Sequence, residues 1–375
     1  MIKKHIPVSQ PLLGESEVRY LNDALSKGAI SGLYGKYITR FETEFAQYSD
    51  CAFGVSVVNG TTAIHLALAA LSIGEGDEVL VSTLTNMATC FPILYQRAKP
   101  VPIDIEEETW NLDPRLLEAK ITRKTKAILV VHLFGHSVDM DPVLEIARKY
   151  KLFVIEDCAE AHGALYKGKK AGSLGDIGCF SFYANKIITT GEGGMITTNN
   201  RDLAEKCRNL KNLAYGSQNK FQHGDVGYNY RMTNLQAALG CAQMEKIEQV
   251  IAAKRRIAVF YNESLKNCEA LQLPIEKSYA RNVYWMYHVA LRGGLSDKRA
   301  EIMKNLSENG IETREGFIPY NMQDLFLQKG WTKPEDCPLA RDCAYSTFYL
   351  PTGASLEAED LDYIVNQLCA IIRKK

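Results

Sequence analysis

The stretch Leu152-Phe153-Val154-Ile155-Glu156-Asp157-Cys158-Ala159-Glu160 drives four apolar residues straight into two adjacent carboxylates. An unbroken apolar run of this kind marks a strand covered by helices on both faces, as in a parallel sheet. A strand over 152–156 sets Asp157 at the carboxyl edge of that sheet, where α/β proteins bind ligands. Working outward, Phe53–Val58, Glu78–Ser82, Pro100–Asp104, Ala127–Phe134, Ile177–Tyr183 and Gly194–Thr198 read as further strands. Helical patterns such as Ala63–Leu71 and Pro142–Tyr150 lie between them, and the alternation predicts a wound α/β sheet.

From Ala237 to Leu265 the spacing predicts one long amphipathic helix leaving the first domain, with Lys254-Arg255-Arg256 on a solvated face. Beyond Tyr284 the pattern is that of a smaller α+β unit. Its marks are a strand at Tyr287–Leu291, a helix at Asp297–Asn309, a strand near Ile311–Arg314 and a closing helix at Ala358–Ile372. The expected division is a large α/β domain over 1–250 and a small C-terminal α+β domain over 251–375.

At 375 residues the chain exceeds one small core, given about 150 residues per domain. Forty-four Lys plus Arg balance 44 Asp plus Glu, so no basic field exists to hold nucleic acid or an anionic bilayer. Any polyanionic ligand must be met locally. No run approaches the ~20 apolar residues of a membrane span. The start, Met1 to Pro7, has no apolar signal core, which predicts a cytoplasmic location. Ten cysteines show no CxxC pair and no Cys/His cluster at metal spacing, so they read as reduced core thiols with no metal.

Asn59-Gly60-Thr61-Thr62 sits where a strand meets a helix. Free amides and the positive end of the helix dipole would converge there on a phosphate, although the same residues also suit a plain helix cap. Neither GxGxxG nor GxxxxGK[ST] is present, which argues against a dinucleotide or P-loop nucleotide on this turn. Lys186 follows the aromatic strand Phe180-Ser181-Phe182-Tyr183 and precedes Gly191-Glu192-Gly193-Gly194. Such a setting can desolvate an ammonium, depress its pKa and supply the neutral amine a Schiff base needs. An acid at one strand end, an amine at a later one and a phosphate turn upstream are the three fixed points pyridoxal 5'-phosphate (PLP) requires.

The order Gly60-Thr61, Asp157-x-Ala159-Glu160, Ser181 to Lys186, Gly191-Glu192-Gly193-Gly194 and Asn229-Tyr230-Arg231-Met232 resembles the DegT/StrS sugar aminotransferases. The resemblance runs from about Pro7 to the C-terminus and includes Gly35-Lys36-Tyr37. It implies PLP fold type I (aspartate-aminotransferase-like), with a mostly parallel sheet in the large domain. It also implies an aminotransferase that passes through the pyridoxamine form (PMP), taking its amino group from L-glutamate. The acceptor it suggests first is the C4 ketone of GDP-4-keto-6-deoxymannose, for surface polysaccharide (O-antigen) biosynthesis. Lys186 and Asp157 take the catalytic roles, the first holding the aldehyde and moving the proton, the second pairing with the pyridine nitrogen. Gly60, Thr61 and Ser181 match phosphate contacts, and Glu160 matches the position beside the ring hydroxyl. Asn229 matches a phosphate contact donated by the other subunit, which implies a homodimer with a shared active site. Lys36, Arg231 and Asn321 fall on the substrate side.

Three positions depart from the family pattern. Asn86 stands where many relatives stack an aromatic ring on the cofactor, and Ala29 where many carry Trp. Ile318-Pro319-Tyr320-Asn321 lacks the His that some relatives place after a Tyr-Pro. His65 reads as a core residue, while His132 and His136 are candidates for the pocket. The rival readings are an aminotransferase for another nucleotide-linked keto sugar (UDP, dTDP or CDP, 3- or 4-keto) and a non-catalytic PLP-binding regulator. A PLP-dependent sugar dehydratase, in which His replaces the lysine, is opposed by Lys186.

Overall fold

The computed structural model describes residues 5–216 and 218–374. Two helices, α1 (Glu15–Ser26) and α2 (Lys36–Tyr48), precede a central sheet of β1 (Phe53–Val57), β2 (Glu78–Ser82), β3 (Lys99–Ile103), β4 (Thr125–Val131) and β5 (Phe153–Asp157). A short ribbon, β6 (Leu165–Tyr166) and β7 (Lys169–Lys170), leads to the last two sheet strands, β8 (Ile177–Ser181) and β9 (Gly194–Thr198). The spatial order is β1-β9-β8-β5-β4-β2-β3. Every neighbouring pair from β8 to β3 is parallel, and β9 runs antiparallel to both β1 and β8. Parallel pairing needs a crossover of a dozen or more residues, usually a helix, whereas Phe182–Gly193 turns back through a glycine loop with no helix. The covering helices are α3 (Gly60–Ala70), α4 (Met87–Tyr95), α5 (Met140–Tyr150) and α6 (Arg201–Lys211). Strands β5 and β8 are buried almost throughout, as their unbroken apolar sequence requires.

Two carboxylates inside this layer are structural. Glu156 accepts hydrogen bonds from the amides of Gly172 (2.8 Å), Leu174 (2.8 Å) and Gly175 (2.7 Å) and from His132 Nε2 (2.9 Å). His132 Nδ1 accepts from the Val138 amide, so its proton sits on Nε2 and points at Glu156. The anion thereby ties β5 to the loop feeding β8. Glu156→Gln sets an NH2 group against these donors. The change is expected to cost about 1.5–3 kcal/mol, read as the urea midpoint of cofactor-free protein; an unmoved midpoint would contradict this role.

The second carboxylate, Glu17 on α1, explains a departure from expectation. The predicted single helix 237–265 is two, α7 (Asn234–Met244) and α8 (Ile247–Leu265), broken at Glu245-Lys246. Glu17 accepts from Gln243 Nε2 (2.7 Å) and pairs with Lys246 (2.6 Å), so the chain bends where both side chains reach back to α1. Helix α8 then redirects toward the second core. Val250 and Ile251 pack in the first core, while Ile257, Ala258, Tyr261 and Leu265 pack in the second.

That second core lies under an antiparallel sheet in the order β10 (Leu271–Gln272), β12 (Tyr287–Leu291), β14 (Thr347–Leu350), β13 (Arg314–Glu315). β11 (Ala280–Arg281) joins the β6–β7 ribbon instead. Helices α9 (Arg299–Glu308), α10 (Asp324–Gln328), α11 (Pro338–Ser346) and α12 (Ala358–Ile372) complete the region. The 250/251 division we propose cuts through α8. Residues 6–8 also cross it, because Ile6 bonds to Gly310 and Glu312, and Val8 to Thr352. Among the described residues no helix is long and apolar enough to cross a membrane. The ten cysteines are unpaired and eight are buried.

Lys254 corrects the solvated-face expectation. Arg256 is exposed and Arg255 pairs with Glu276, but Lys254 is buried, donating to the carbonyls of Trp285 (3.0 Å) and Thr352 (2.8 Å). Burial without a counter-ion lowers its pKa to about 7. The folded state thus disfavours a proton that the unfolded chain holds up to its ordinary value of 10.5. The penalty is full below about pH 7 and lifts as pH rises toward 10.5. Lys254→Met removes the titrating group and its penalty together. The wild type should therefore gain stability relative to this variant as pH rises from about 7 to 10. Paired urea titrations across that range read the effect, and a pH-independent gap would refute it.

Candidate active site

The geometry starts at the end of β5. Asp157 is 5% exposed; its Oδ2 accepts from Thr89 Oγ1 at 2.8 Å and its Oδ1 from the Ala159 amide at 3.0 Å. These donors favour the anion, yet burial outweighs them and raises the carboxyl's pKa. A buried carboxylate so placed gains from a cationic N–H partner in the cavity.

Lys186 lies in the turn after β8, its amide bonded to Tyr183 O (2.9 Å). Its Nζ is 4.0 Å from Glu160 Oε1 and 3.9 Å from the centre of the Trp285 ring. Burial lowers its pKa, the direction a nucleophilic amine needs. Glu160 is fixed by the Phe134 amide (2.8 Å), and burial pushes its pKa up to about 7.

The anion end is built from backbone. Asn59 caps α3 by accepting from the Thr62 amide at 2.9 Å, which leaves Gly60 and Thr61 as the first residues of the helix. Their amides have no intrahelical acceptor. A Cβ on Gly60 would stand 2.7 Å from Ser181 Cβ, and one on Gly194 would stand 2.4 Å from Asn59 O. Only glycine lets α3, β8 and β9 close this tightly at the end of the cavity.

Gly60, Thr61, Asp157, Glu160, Ser181 and Lys186 therefore line one cavity of about 450 Å³. Its other wall comes from the C-terminal region through Trp285, Met286, Arg314, Glu315, Phe317 and Tyr349. Four expected residues lie outside it. Asn229 is exposed and bridges Asn212 through its backbone. Lys36 pairs with Asp23 (2.9 Å), and Arg231 donates to Asn212 Oδ1 (2.9 Å). Asn321 is buried, accepting from Thr83 Oγ1 (2.6 Å) and donating to Lys333 O (2.9 Å). Its amide pins the loop after β13 to the end of β2 and is not free for a ligand within this chain.

Asn86 lines the cavity but spends its side chain capping α4 through the Ala88 amide (2.9 Å), so no ring stacks from that position. The histidines are structural. His65 bonds to Tyr230 OH (2.9 Å) and Gln96 (2.7 Å), His136 to Ser137 O (2.8 Å) and the Lys277 amide (3.1 Å), and neither lines the cavity. His132, Glu156 and Cys158 lie within 4.8 Å of one another, but the four donors on Glu156 already account for its charge. Residue-by-residue reading passed over Thr89, whose only signal is a hydroxyl pair with Thr85 at (i, i+4), bonded at 2.7 Å. It also passed over Trp285, which stands 100 positions beyond its partner Asn185.

A glycine-tight anion cradle, a desolvated amine and a buried carboxylate with its own donors fit PLP. Residues 11–369 match the model of the DegT/DnrJ/EryC1/StrS aminotransferase family. The chain is 43% identical to the GDP-perosamine synthase of Caulobacter vibrioides over 98% of both chains. It is 42% identical to that of Escherichia coli O157:H7 over 97% of this chain and 98% of the other. The structure superposes on the PMP form of the putative sugar aminotransferase Spr1654 from Streptococcus pneumoniae with a TM-score of 0.94 at 26% identity, over 99% of this chain and 98% of that one. With its fold, its site and its sequence in agreement, the chain belongs to the DegT/DnrJ/EryC1/StrS aminotransferase family and is a PLP-dependent aminotransferase.

Proposed function

We propose that the protein transfers the amino group of L-glutamate to the C4 ketone of GDP-4-keto-6-deoxymannose, giving the 4-amino sugar nucleotide for O-antigen biosynthesis in the cytoplasm. The observation that carries the chemistry is the desolvated Lys186 amine in one cavity with buried Asp157 and Glu160. The choice of sugar is supported by the 43% and 42% identities to GDP-perosamine synthases over nearly the whole chain.

PLP supplies an aldehyde that takes up amines and an electron-withdrawing ring that eases proton loss from the adjoining carbon. The chain supplies the rest. Amides of Gly60 and Thr61 with the Ser181 hydroxyl would hold the phosphate, and Asp157 would pair with the pyridine nitrogen. Lys186 Nζ would hold the aldehyde and, when free, is the amine placed to move a proton. Glu160, with its pKa raised to about 7, shares a proton beside the ring hydroxyl.

In this reading two chains complete each other's cavities. Asn229, Lys36 and Arg231 lie outside the cavity of their own chain and are the residues we assign to the partner's phosphate and substrate. Support comes from exposed apolar side chains a few positions from them in the sequence, including Leu33 (56% exposed), Tyr34 (61%) and Val226 (77%). Asn321 then acts on the substrate only by shaping the wall it anchors.

PLP-loaded protein given L-glutamate should release 2-oxoglutarate and lose the visible band of its lysine-bound cofactor. Nucleotide-linked keto sugars then compete to restore the band, and GDP-4-keto-6-deoxymannose should do so fastest. Restoration by a UDP-, dTDP- or CDP-linked sugar alone would overturn the substrate, and indifference to every amino donor would overturn the transfer.

A further inference from the structure

Trp285 lies outside the motifs that identify the family, yet three hydrogen bonds fix it against the reactive lysine. Its indole N–H donates to Asn185 O at 2.8 Å, one residue before Lys186. Its amide donates to Phe134 O at 2.9 Å, and the Phe134 amide in turn holds Glu160 at 2.8 Å. Its carbonyl accepts from the buried Lys254 at 3.0 Å. The ring is 4% exposed and its centre stands 3.9 Å from Lys186 Nζ.

During a transamination cycle the lysine amine is bonded to the cofactor for one part and free for the other, and when free and protonated it is a buried cation. The charged and titratable groups that act on it are Glu160 at 4.0 Å, Asp157 and His162, and Tyr183, Glu192, Arg314, Glu315 and Tyr349 line the same cavity. Burial pushes Glu160 toward its neutral form and keeps His162 neutral, while Asp157 is engaged by Thr89 and Ala159. Glu160, the nearest ion partner, is thereby only a partial counter-ion. An indole face attracts a cation through its quadrupole without being able to accept its proton, so it holds the ammonium without competing for the proton being moved.

We propose that Trp285 is a positioning residue whose indole face is the resting place of the Lys186 ammonium whenever that amine is not bonded to the cofactor. The inference rests on the reading of Lys186 as the reactive amine. It gives the C-terminal region a direct hand in the chemistry: Lys254 and Phe134 set the indole, and the indole sets the amine.

The test uses full-length protein freed of cofactor, to which PLP is added while the rate of appearance of the visible band is followed against pH. Lys186→Ala is the blank. Trp285→Leu leaves the ammonium less favoured, so the midpoint of the rate profile should fall by about one pH unit. Trp285→Phe keeps a ring face and loses only the indole N–H, and should recover at least half of that shift. If the leucine variant does not fold, Trp285→Met, also without a ring but with an unbranched side chain that fills irregular gaps, replaces it. A ringless variant with the wild-type midpoint, or one whose shift the phenylalanine variant reproduces in full, overturns the proposal. A band that forms normally in Lys186→Ala overturns instead the reading of Lys186 on which it rests.

Discussion

Lys186→Ala is expected to lower amino transfer by more than about 10⁴-fold while the protein unfolds at or near the wild-type midpoint. The two halves of this result have separate causes. Activity falls because, among the described residues, no other amine lines the cavity with Asp157 and Glu160, so the proposed aldehyde-binding group and proton carrier would be lost at once. Stability holds because the ammonium is a buried charge whose burial lowers its pKa, with a carboxylate at 4.0 Å as its nearest ion partner. Removing such a charge relieves desolvation, and the space left opens into an existing cavity. Glu160 can take up a proton rather than stay as an uncompensated anion, because burial already raises its pKa to about 7. The same step leaves Glu160 without the cation that lowers its pKa, so Glu160 should titrate higher in the variant. A small primary amine added to the solution can enter the space and restore part of the proton transfer. Retained turnover, or a visible band like that of the wild type, would show that the amine lies elsewhere.

How far the sequence carries the site depends on how local each signal is. Asp157 is legible because the four apolar residues before it define a buried strand and therefore its open end. Lys186 is legible because the aromatic strand and the glycine loop that desolvate it are its own neighbours in the chain. Trp285 is not, since its meaning lies in a bond to Asn185 that only the folded chain creates. Lys254 is a different case. It falls on the stripe Ile247, Val250, Ile251, Ile257, Ala258 and Tyr261, the buried face of α8, so helical spacing puts it inside although two arginines beside it suggest a polar face. Periodicity outranks local charge here because a lysine stem can lie in a core when carbonyls meet its head. The α7–α8 break carries no Gly or Pro at Glu245-Lys246, and its cause, Glu17, sits more than 220 positions earlier.

Asp157→Asn separates electronics from shape. The amide matches the carboxyl in size, and its oxygen can still accept from the Ala159 amide. Its NH2 would face Thr89 Oγ1, which can turn to accept because Thr85 Oγ1, 2.7 Å away, can serve as either donor or acceptor toward it. The fold should therefore tolerate the change, all the more because burial already disfavours the negative charge there. What disappears is the anion that, in the role proposed above, would pair with the pyridine nitrogen. Breaking a buried pair by removing one charge costs about 3–5 kcal/mol, or roughly 10²- to 5 × 10³-fold in rate at 1.36 kcal/mol per tenfold. The loss should appear in kcat, with the urea midpoint of cofactor-free protein nearly unchanged. Asp157 also raises the pKa of Glu160, so without it any limb of the rate profile set by Glu160 should move to lower pH. A variant that keeps more than a tenth of wild-type turnover would mean that the ring draws its electron demand from another group, and an unmoved acidic limb would detach Glu160 from the titration.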